Sequence, residues 1–188
     1  NDEANGLIQK IKIILKEGKI ASAGIREKKE GLGFVVLRKT KNGGSIVSLV
    51  YFGKVPEAEA KFLAGEILAR GVNSVNILLN DFWAEVSEGR LVKTFGRETI
   101  EEELLGKKFA VKHDTFFQTN PASAEKIFSE VREFVQGSAS VLDLYCGVGT
   151  IGICIAEAVG KVVGMEVVVE SIRLAEINAW INGVKNIS

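Results

Sequence analysis

Two carboxylates and a pair of glycines lie close together near the carboxyl end of this 188-residue chain. Asp143 precedes Gly147 and Gly149, and Glu166 follows Gly149 by 17 residues. Because glycine has no Cβ, a turn built from these two glycines lets the backbone bend sharply and approach a ligand closely. A carboxylate at Glu166 can accept hydrogen bonds from both hydroxyls of a ribose. These residue types at this spacing predict a site for an adenosine-containing cofactor.

A strand, a turn, a helix and a second strand must position those groups. Val141, Leu142 and Leu144 form a short apolar run, which is typical of a strand buried on both faces. The sequence IGICIAEAV predicts a helix from Ile151 whose first N–H groups point back at the turn. The sequence KVVGM then predicts the strand that ends just before Glu166. This order is the βαβ unit of nucleotide-binding sheets.

The glycine turn is compatible with two cofactors. Residues 147–152 satisfy the G-x-G-x-x-G pattern of dinucleotide sites, which favours NAD. Asp143 favours S-adenosylmethionine instead, because a lone carboxylate inside a strand is costly to bury and suits a cofactor with a cationic amino-acid tail. Thr150 and Tyr145 would add a polar contact and an aromatic ring at the mouth of the site. We expect adenosylmethionine ahead of NAD, and a βαβ turn without any ligand is the third alternative.

A polar and aromatic segment precedes this unit, between a strand predicted at 108–112 and a helix predicted from Pro121. It contains two aromatic rings and two amides: Phe116, Phe117, Gln118 and Asn120. Such residues can stack on a nucleic-acid base and read its edge. Aromatic pairs also occur in ordinary hydrophobic cores, so both interpretations stay open at this point.

The first part of the chain predicts a separate α+β unit. Hydrophobic periodicity predicts an amphipathic helix over residues 2–17, and Pro56 opens a second helix that ends near Gly71. Runs of β-forming residues predict strands at about 19–26, 32–38, 45–52, 74–79, 82–87 and 91–95. The first three, joined by turns such as Asn42-Gly43, predict an antiparallel meander.

A final helix is predicted after Glu166. Its apolar residues suit burial against a sheet: Ile172, Ala175, Ile177, Ala179 and Ile181. Residues 184–187 could begin a third strand of the same sheet.

Composition indicates a globular protein, since 46% of the residues are hydrophobic. Basic and acidic residues each number 24, so net charge gives no argument for a nucleic-acid partner. Their distribution is uneven, with 11 basic and 5 acidic residues through Lys54 and 13 and 19 in the remainder. The basic first part could lie on a phosphate backbone or be an ordinary solvated surface.

The two cysteines and the hydropathy of the chain predict where the protein is found and whether it binds a metal. Cys146 and Cys154 form neither a CxxC pair nor a metal-ligand spacing, so we expect no metal site and a reducing compartment. We find no charged-then-apolar leader and no apolar run near 20 residues, which predicts a soluble, cytoplasmic protein without membrane contact.

Three motifs in order resemble the RNA uracil-C5 methyltransferases, which make 5-methyluridine in ribosomal and transfer RNA. They are FFQTN at 116–120, DLYCGVGTIG at 143–152 and GMEVVVESIRLAEINAWINGVKN at 164–186. The resemblance implies a central α+β domain over residues 1–105, with possible RNA contact. It implies that residues 106–188 are the first part of an α/β Rossmann-like, class I S-adenosylmethionine-dependent methyltransferase domain.

The resemblance also implies roles for individual residues. Gln118, Tyr145, Thr150 and Glu166 would contact adenosylmethionine, with Glu166 on the ribose. Phe116 would pack against a uracil flipped out of rRNA or tRNA. Thr150 departs from the Asn that some members have at this position.

In the family, a cysteine thiolate adds to uracil C6 so that C5 can accept the methyl group, and a carboxylate helps to remove the C5 proton. Both groups would lie after Ser188, so we expect no catalytic residue in this chain, Cys146 included, and interpret it as an inactive fragment of an RNA (uracil-5-)-methyltransferase. An incomplete sheet would expose apolar surface around its second strand, which predicts partial disorder or self-association. The alternatives are a fragment of an NAD-binding oxidoreductase and a non-catalytic RNA-binding module built on residues 1–105.

Overall fold

The computed structural model describes residues 2–188, which divide into two compact units. The first unit extends to Ile100 and the second spans Glu101–Ser188. The boundary predicted from the sequence falls a little later, after residue 105, and the extent of each functional domain stays a prediction. None of the helices described is long and apolar enough to cross a lipid bilayer.

The first unit is a mixed sheet with two helices. Its elements are α1 (Asp2–Glu17), β1 (Gly31–Lys39), β2 (Ser45–Phe52), α2 (Glu57–Leu68), β3 (Ser74–Asn80) and β4 (Arg90–Gly96). The strands lie in the order β1-β2-β3-β4. The β1–β2 and β3–β4 pairs are antiparallel, whereas β2 and β3 are parallel. The meander predicted from residues 19–26, 32–38 and 45–52 is confirmed only for its last two segments, which are β1 and β2. Helix α2 provides the crossover that the parallel β2–β3 pair requires.

Two of the predicted strands in this unit are wrong. Residues 19–26 form no continuous strand: Ser22 makes an isolated parallel bridge to Leu32, and Gly24 and Lys29 exchange backbone hydrogen bonds of 2.9 and 2.8 Å across a turn. Residues 82–87 form a loop folded around Asn80, whose Nδ2 donates to the carbonyls of Ala84 and Val86 at 3.1 and 3.3 Å. Both segments have β-forming side chains, but local hydrogen bonds across turns interrupt a regular strand in each.

The core of the first unit lies between the helices and one face of the sheet. All eight residues of β2, one of the two inner strands, are buried. Helix α1 contributes Ile11 and Ile14, and α2 contributes Leu63 and Ile67. Both predicted helices are therefore confirmed, with Pro56 at the N-cap of α2 rather than inside its first turn.

The second unit carries the glycine turn. Strand β5 (Ile100–Leu104) begins at the last residue of the first unit. The elements that follow are β6 (Lys107–Val111), α3 (Pro121–Val135), β7 (Val141–Leu144), α4 (Thr150–Ile155), a 3₁₀ turn (Ala156–Ala158), β8 (Val162–Met165) and α5 (Val169–Ile181). Strand β5, which no sequence pattern predicted, pairs with β6 through the two-residue turn Leu105-Gly106. Both turn residues have positive φ, at 49° and 71°, and Leu105 carries no sequence signal for that conformation.

Strands β7 and β8 are parallel, in the register Val141↔Val162 to Leu144↔Met165. Ile187 makes a further parallel bridge to Val162, so the predicted third strand begins on the free edge of β8. One face of this small sheet packs against α3 and α4. The prediction that β7 is buried on both faces is wrong, because Leu142 and Leu144 are 56% and 57% exposed.

Helix α5 buries a different stripe from the one that the sequence suggested. Its buried residues are Leu174, Asn178 and Ala179. Of the predicted set, Ala179 is buried as expected, whereas Ile172, Ile177 and Ile181 are exposed. The apolar residues of α5 surround the helix almost evenly, so hydrophobic periodicity could not identify the buried side.

Candidate cofactor site

The glycine turn joins the end of β7 to the start of α4. Tyr145, Gly147 and Gly149 all have positive φ, at 60°, 56° and 78°. The Gly149 N–H donates to the carbonyl of Cys146 at 2.9 Å, and the Cys146 N–H donates to the carbonyl of Met165 at 3.1 Å. The second bond fixes the start of the turn to the end of β8. A side chain at either glycine would strain this backbone, which explains the predicted glycine spacing.

Glu166 closes the turn from the opposite side. Its Oε2 accepts the Gly147 N–H at 3.0 Å, and its Oε1 accepts the N–H groups of Val167 and Val168 at 2.8 and 2.9 Å. These bonds, above all the one from Val168, lower the pKa of the Glu166 carboxyl below its ordinary value. The group is therefore ionised at neutral pH. A carboxylate oxygen has more than one lone pair, so Oε2 can accept a ligand hydroxyl beside Gly147.

Asp143 lies on the face of β7 turned toward α4. Its Oδ2 accepts the Gly152 N–H at 3.2 Å, so the carboxylate is not the lone buried group that the sequence suggested. Burial raises the pKa of Asp143, and the bond from Gly152 opposes that rise. This hydrogen bond from the first turn of α4 thus offsets part of the free-energy cost of burying a carboxylate inside the strand.

Gly152 permits the close contact between α4 and the sheet. A Cβ added at Gly152 would lie 3.0 Å from the Ile187 side chain and 3.1 Å from that of Val162. This is the helix–strand packing role that the third glycine has in nucleotide-binding turns. The same packing would serve either of the two predicted cofactors.

The other predicted site residues divide between the turn and the preceding loop. Thr150 is the first residue of α4, and Tyr145 is 85% exposed beside the glycines. Phe116 and Gln118 lie in the loop between β6 and α3, and Phe116 is 78% exposed. The structure therefore groups Asp143, Tyr145, Gly147, Gly149, Thr150 and Glu166 at one turn. Phe116 and Gln118 are on a separate, exposed segment.

The two rings of the FFQTN motif have different environments. Phe117 packs against the fully buried Phe109, with 5.8 Å between ring centroids. Phe116, next to it, points into solvent. Asn120 caps helix α3 by accepting the Ser123 N–H at 3.1 Å. One ring therefore belongs to the core, and the other is free for a ligand.

Asn178, which no sequence motif singled out, also contacts the glycine turn. Asn178 of α5 is fully buried, and its Nδ2 donates to the carbonyl of Val148 at 3.1 Å. The only signal that could have found it is an amide side chain between the buried positions Leu174 and Ala179 of an apolar helix, because a buried amide needs partners.

Neither cysteine is in the environment of an activated nucleophile. Burial, assisted by the negative charges of Asp143 and Glu166, raises the pKa of the Cys146 thiol. Burial raises that of Cys154 to about 12. Both effects disfavour the reactive thiolate. Within residues 2–188, no group of three or more His, Cys, Asp or Glu side chains is arranged to bind a metal ion.

Comparison with known proteins identifies the family. Residues 2–188 match the family model described as tRNA (Uracil-5-)-methyltransferase. The chain belongs to this family. Its curated relatives in the family include the tRNA (uracil(54)-C(5))-methyltransferase of Pyrococcus furiosus, which is 34% identical over 95% of this chain and 42% of its own length. An uncharacterized RNA methyltransferase of Caldanaerobacter subterraneus is 39% identical over 82% of this chain and 36% of its own.

A solved structure from the family agrees over almost the whole chain. The tRNA (uracil-54, C5)-methyltransferase of Pyrococcus abyssi, in complex with S-adenosyl-L-homocysteine, superposes with a TM-score of 0.79 at 31% identity. The alignment covers 96% of this chain and 44% of that one. The tRNA m1G37 methyltransferase of Methanocaldococcus jannaschii shares the fold, with a TM-score of 0.55 at 18% identity. These neighbours confirm the predicted Rossmann-like methyltransferase fold, and the chain spans less than half the length of the family members named here.

Proposed function

We propose that this chain binds S-adenosylmethionine for the methylation of uridine C5 in tRNA or rRNA. The observation that carries the proposal is the bond from the Gly147 N–H to Glu166, which sets a carboxylate beside an open glycine turn. The relative from Pyrococcus abyssi has S-adenosyl-L-homocysteine, the demethylated form of this cofactor, in its structure. Adenosylmethionine would supply the methyl group.

The residues at the turn fit such a cofactor. A Cβ at Gly147 would meet nothing within 4 Å, so the space above this residue is open. Glu166 would accept a hydroxyl of the ribose, and Asp143 would attract the cationic amino-acid tail. Tyr145 and Thr150 line the same turn. Gln118 reaches it from the β6–α3 loop under this proposal, and Phe116 would contact the uracil.

The chain supplies cofactor binding and not the methyl transfer itself. The transfer to C5 needs a thiolate that adds to C6 and a base that removes the C5 proton. Cys146 and Cys154 both have raised pKa values, so neither thiol suits the first role. We therefore propose that these 188 residues alone are inactive, and that both groups lie outside them.

A titration of the purified chain with S-adenosyl-L-homocysteine tests this function by calorimetry. We expect binding that is weakened by Glu166→Ala, and no binding of NAD. Binding of NAD in preference to adenosylhomocysteine would instead support an oxidoreductase, whose glycine pattern this chain also satisfies. Failure to bind either ligand would contradict the assignment of the turn as a cofactor site in this chain.

The first unit is proposed to contact the RNA. Its basic side chains include Lys28 and Lys29 in an exposed turn. Neutralising phosphates with such groups makes affinity fall as salt rises. A filter-binding titration with a tRNA transcript should therefore give weaker binding at higher salt. Salt-sensitive binding that is indifferent to adenosylhomocysteine would favour a non-catalytic RNA-binding module instead.

The exposed face of the β7–β8 sheet is proposed to mediate self-association. Leu142, Leu144 and Met165 are each more than half exposed on these strands. Contiguous apolar surface of this kind favours association. Light scattering should show oligomers that dissociate in a Leu142→Lys, Leu144→Lys variant. A monomer at all concentrations of the unsubstituted chain would contradict this part of the proposal.

A further inference from the structure

Asn178 connects two segments that the proposed function assigns to the cofactor. Its Nδ2 donates to the carbonyl of Val148, between the two glycines of the turn, at 3.1 Å. Its Oδ1 accepts the N–H of Ala110, in β6, at 2.7 Å. The side chain is completely buried, so water does not compete for either bond.

The glycine turn needs hydrogen bonds to hold it in one conformation, because its backbone can adopt many conformations. Gly147 and Gly149 flank Val148, and glycine loses more conformational freedom on ordering than any other residue. Glu166 holds the amide of Gly147, and the carbonyl of Cys146 holds the amide of Gly149. The bond from Asn178 fixes the carbonyl of the residue between them. It therefore determines the orientation of the peptide that joins Val148 to Gly149.

The other end of Asn178 holds the strand that leads to the FFQTN segment. Ala110 is followed by Val111, the last residue of β6, and by a short turn in which the Thr115 Oγ accepts the Lys112 N–H at 2.9 Å. Gln118 comes three residues after that turn. One buried amide thus ties the glycine turn to the strand from which the Gln118 loop departs.

We propose that Asn178 is a positioning residue for the cofactor: it sets the glycine turn and the Gln118 segment at the spacing that adenosylmethionine requires. The identity of the ligand in this inference rests on the proposed function. That Asn178 holds the glycine turn and β6 together rests only on its hydrogen bonds to Val148 and Ala110. Asn178 touches neither the reacting methyl group nor the uracil in this role. It acts through the turn.

The chain offers a matched control one helical turn later. Asn182 is also in contact with β6, since its Oδ1 accepts the Lys108 N–H at 2.9 Å and its Nδ2 donates to the Lys108 carbonyl at 2.6 Å. Its Nδ2 donates in addition to the carbonyl of Asn178, at 2.8 Å, and none of these bonds involves the glycine turn. A substitution at Asn182 therefore perturbs the same helix and strand without releasing Val148.

The experiment compares Asn178→Asp with Asn182→Asp by hydrogen exchange and by calorimetry. An aspartate has almost the same shape as asparagine but cannot donate to a carbonyl when it is ionised. We expect the amides of Gly147 and Gly149 to exchange faster in Asn178→Asp, while the amide of Val162 in β8 exchanges as in the unsubstituted chain. Adenosylhomocysteine should bind roughly tenfold more weakly, the effect expected for one buried hydrogen bond. Asn182→Asp should change neither quantity.

Equal exchange of the turn amides in Asn178→Asp and the unsubstituted chain would overturn the inference. A matching effect in Asn182→Asp would overturn it too, because the role would then be general packing of α5 on β6. If the unsubstituted chain binds no adenosylhomocysteine, the proposed function fails in this chain. The exchange comparison needs no ligand and still decides whether Asn178 positions the turn.

Discussion

Glu166 and Gly147 are 19 residues apart in the chain, yet the carboxylate of one accepts the backbone N–H of the other at 3.0 Å. The contact depends on parallel pairing of β7 and β8, which brings the residues after each strand to the same edge of the sheet. An acidic side chain thereby closes a turn made of glycines.

Replacing Glu166 with Ala should weaken the binding of adenosylhomocysteine by at least about tenfold, because a hydrogen bond to an ionised carboxylate is stronger than one between neutral groups. Calorimetry measures the change. Glu176→Ala, an exposed acidic position on α5, provides the control and should bind like the unsubstituted chain. Because the pKa of Glu166 is lowered, its stabilising bonds persist at neutral pH and are lost as the pH falls through that lowered value. Equal affinity at neutral pH in the Glu166 variant would contradict its role.

Replacing Asp143 with Asn should separate stability from binding. Burial raises the pKa of the Asp143 carboxyl in the folded chain, which means that folding disfavours its ionised form. The ionised carboxylate therefore lowers the free energy of unfolding at pH values above this raised pKa. The amide removes the charge, and we expect the free energy of unfolding at neutral pH to stay within about 0.5 kcal/mol or to rise. Affinity for adenosylhomocysteine should fall, since the cationic tail loses its partner. Loss of stability with unchanged affinity would show that the acid serves the fold alone.

Gly152→Ala should destabilise the second unit by about 1–3 kcal/mol, because the new methyl group meets Ile187 and Val162 at 3.0 and 3.1 Å. Gly65→Ala is the matched change in α2, where an added Cβ meets nothing within 4 Å. That substitution should stabilise the first unit by about 0.5–1 kcal/mol, since alanine is the better helix former. Hydrogen exchange of core amides in each unit measures both values. Equal changes in the free energy of unfolding for Gly152→Ala and Gly65→Ala would show that close packing at Gly152 does not matter.

The two adjacent phenylalanines of FFQTN should behave differently. Phe117→Ala removes a ring that packs on Phe109 and should cost about 2 kcal/mol of unfolding free energy. Phe116→Ala should change stability by less than about 0.5 kcal/mol, because its ring is exposed. Thermal denaturation tests both. Under the proposed function, Phe116→Ala alone should reduce photocrosslinking to a uridine-containing tRNA transcript, and an unchanged yield would count against its uracil contact.

Both cysteines should react slowly with iodoacetamide at pH 8, because their raised pKa values leave little thiolate. Cys154 should be the slower of the two, since it is buried and has a pKa of about 12. Mass spectrometry of the alkylated chain shows which cysteine reacts first. The chain unfolded in urea gives the alkylation rate of each thiol without protection by the fold. A Cys146 more reactive than a free thiol would indicate an activated nucleophile in the turn.

The sequence alone determined the features that depend on local chemistry. The glycine turn at Gly147 and Gly149 was predictable because positive φ favours glycine, and the acid at Glu166 was predictable because it directly follows the next apolar strand. The helices that begin after Pro56 and at Pro121 were predictable for similar reasons, since proline favours the start of a helix. The three motifs also identified the family, which the comparison confirmed.

Only the tertiary structure decided the features that depend on contacts between distant residues. The parallel pairing of β2 with β3, the exposed face of β7 and the buried side of α5 all follow from which elements pack together, and local propensity does not specify that. Asn178 is the clearest case. Its role arises because α5 packs on β6 beside the glycine turn, so one amide meets Ala110 and Val148, which lie 68 and 30 residues before it.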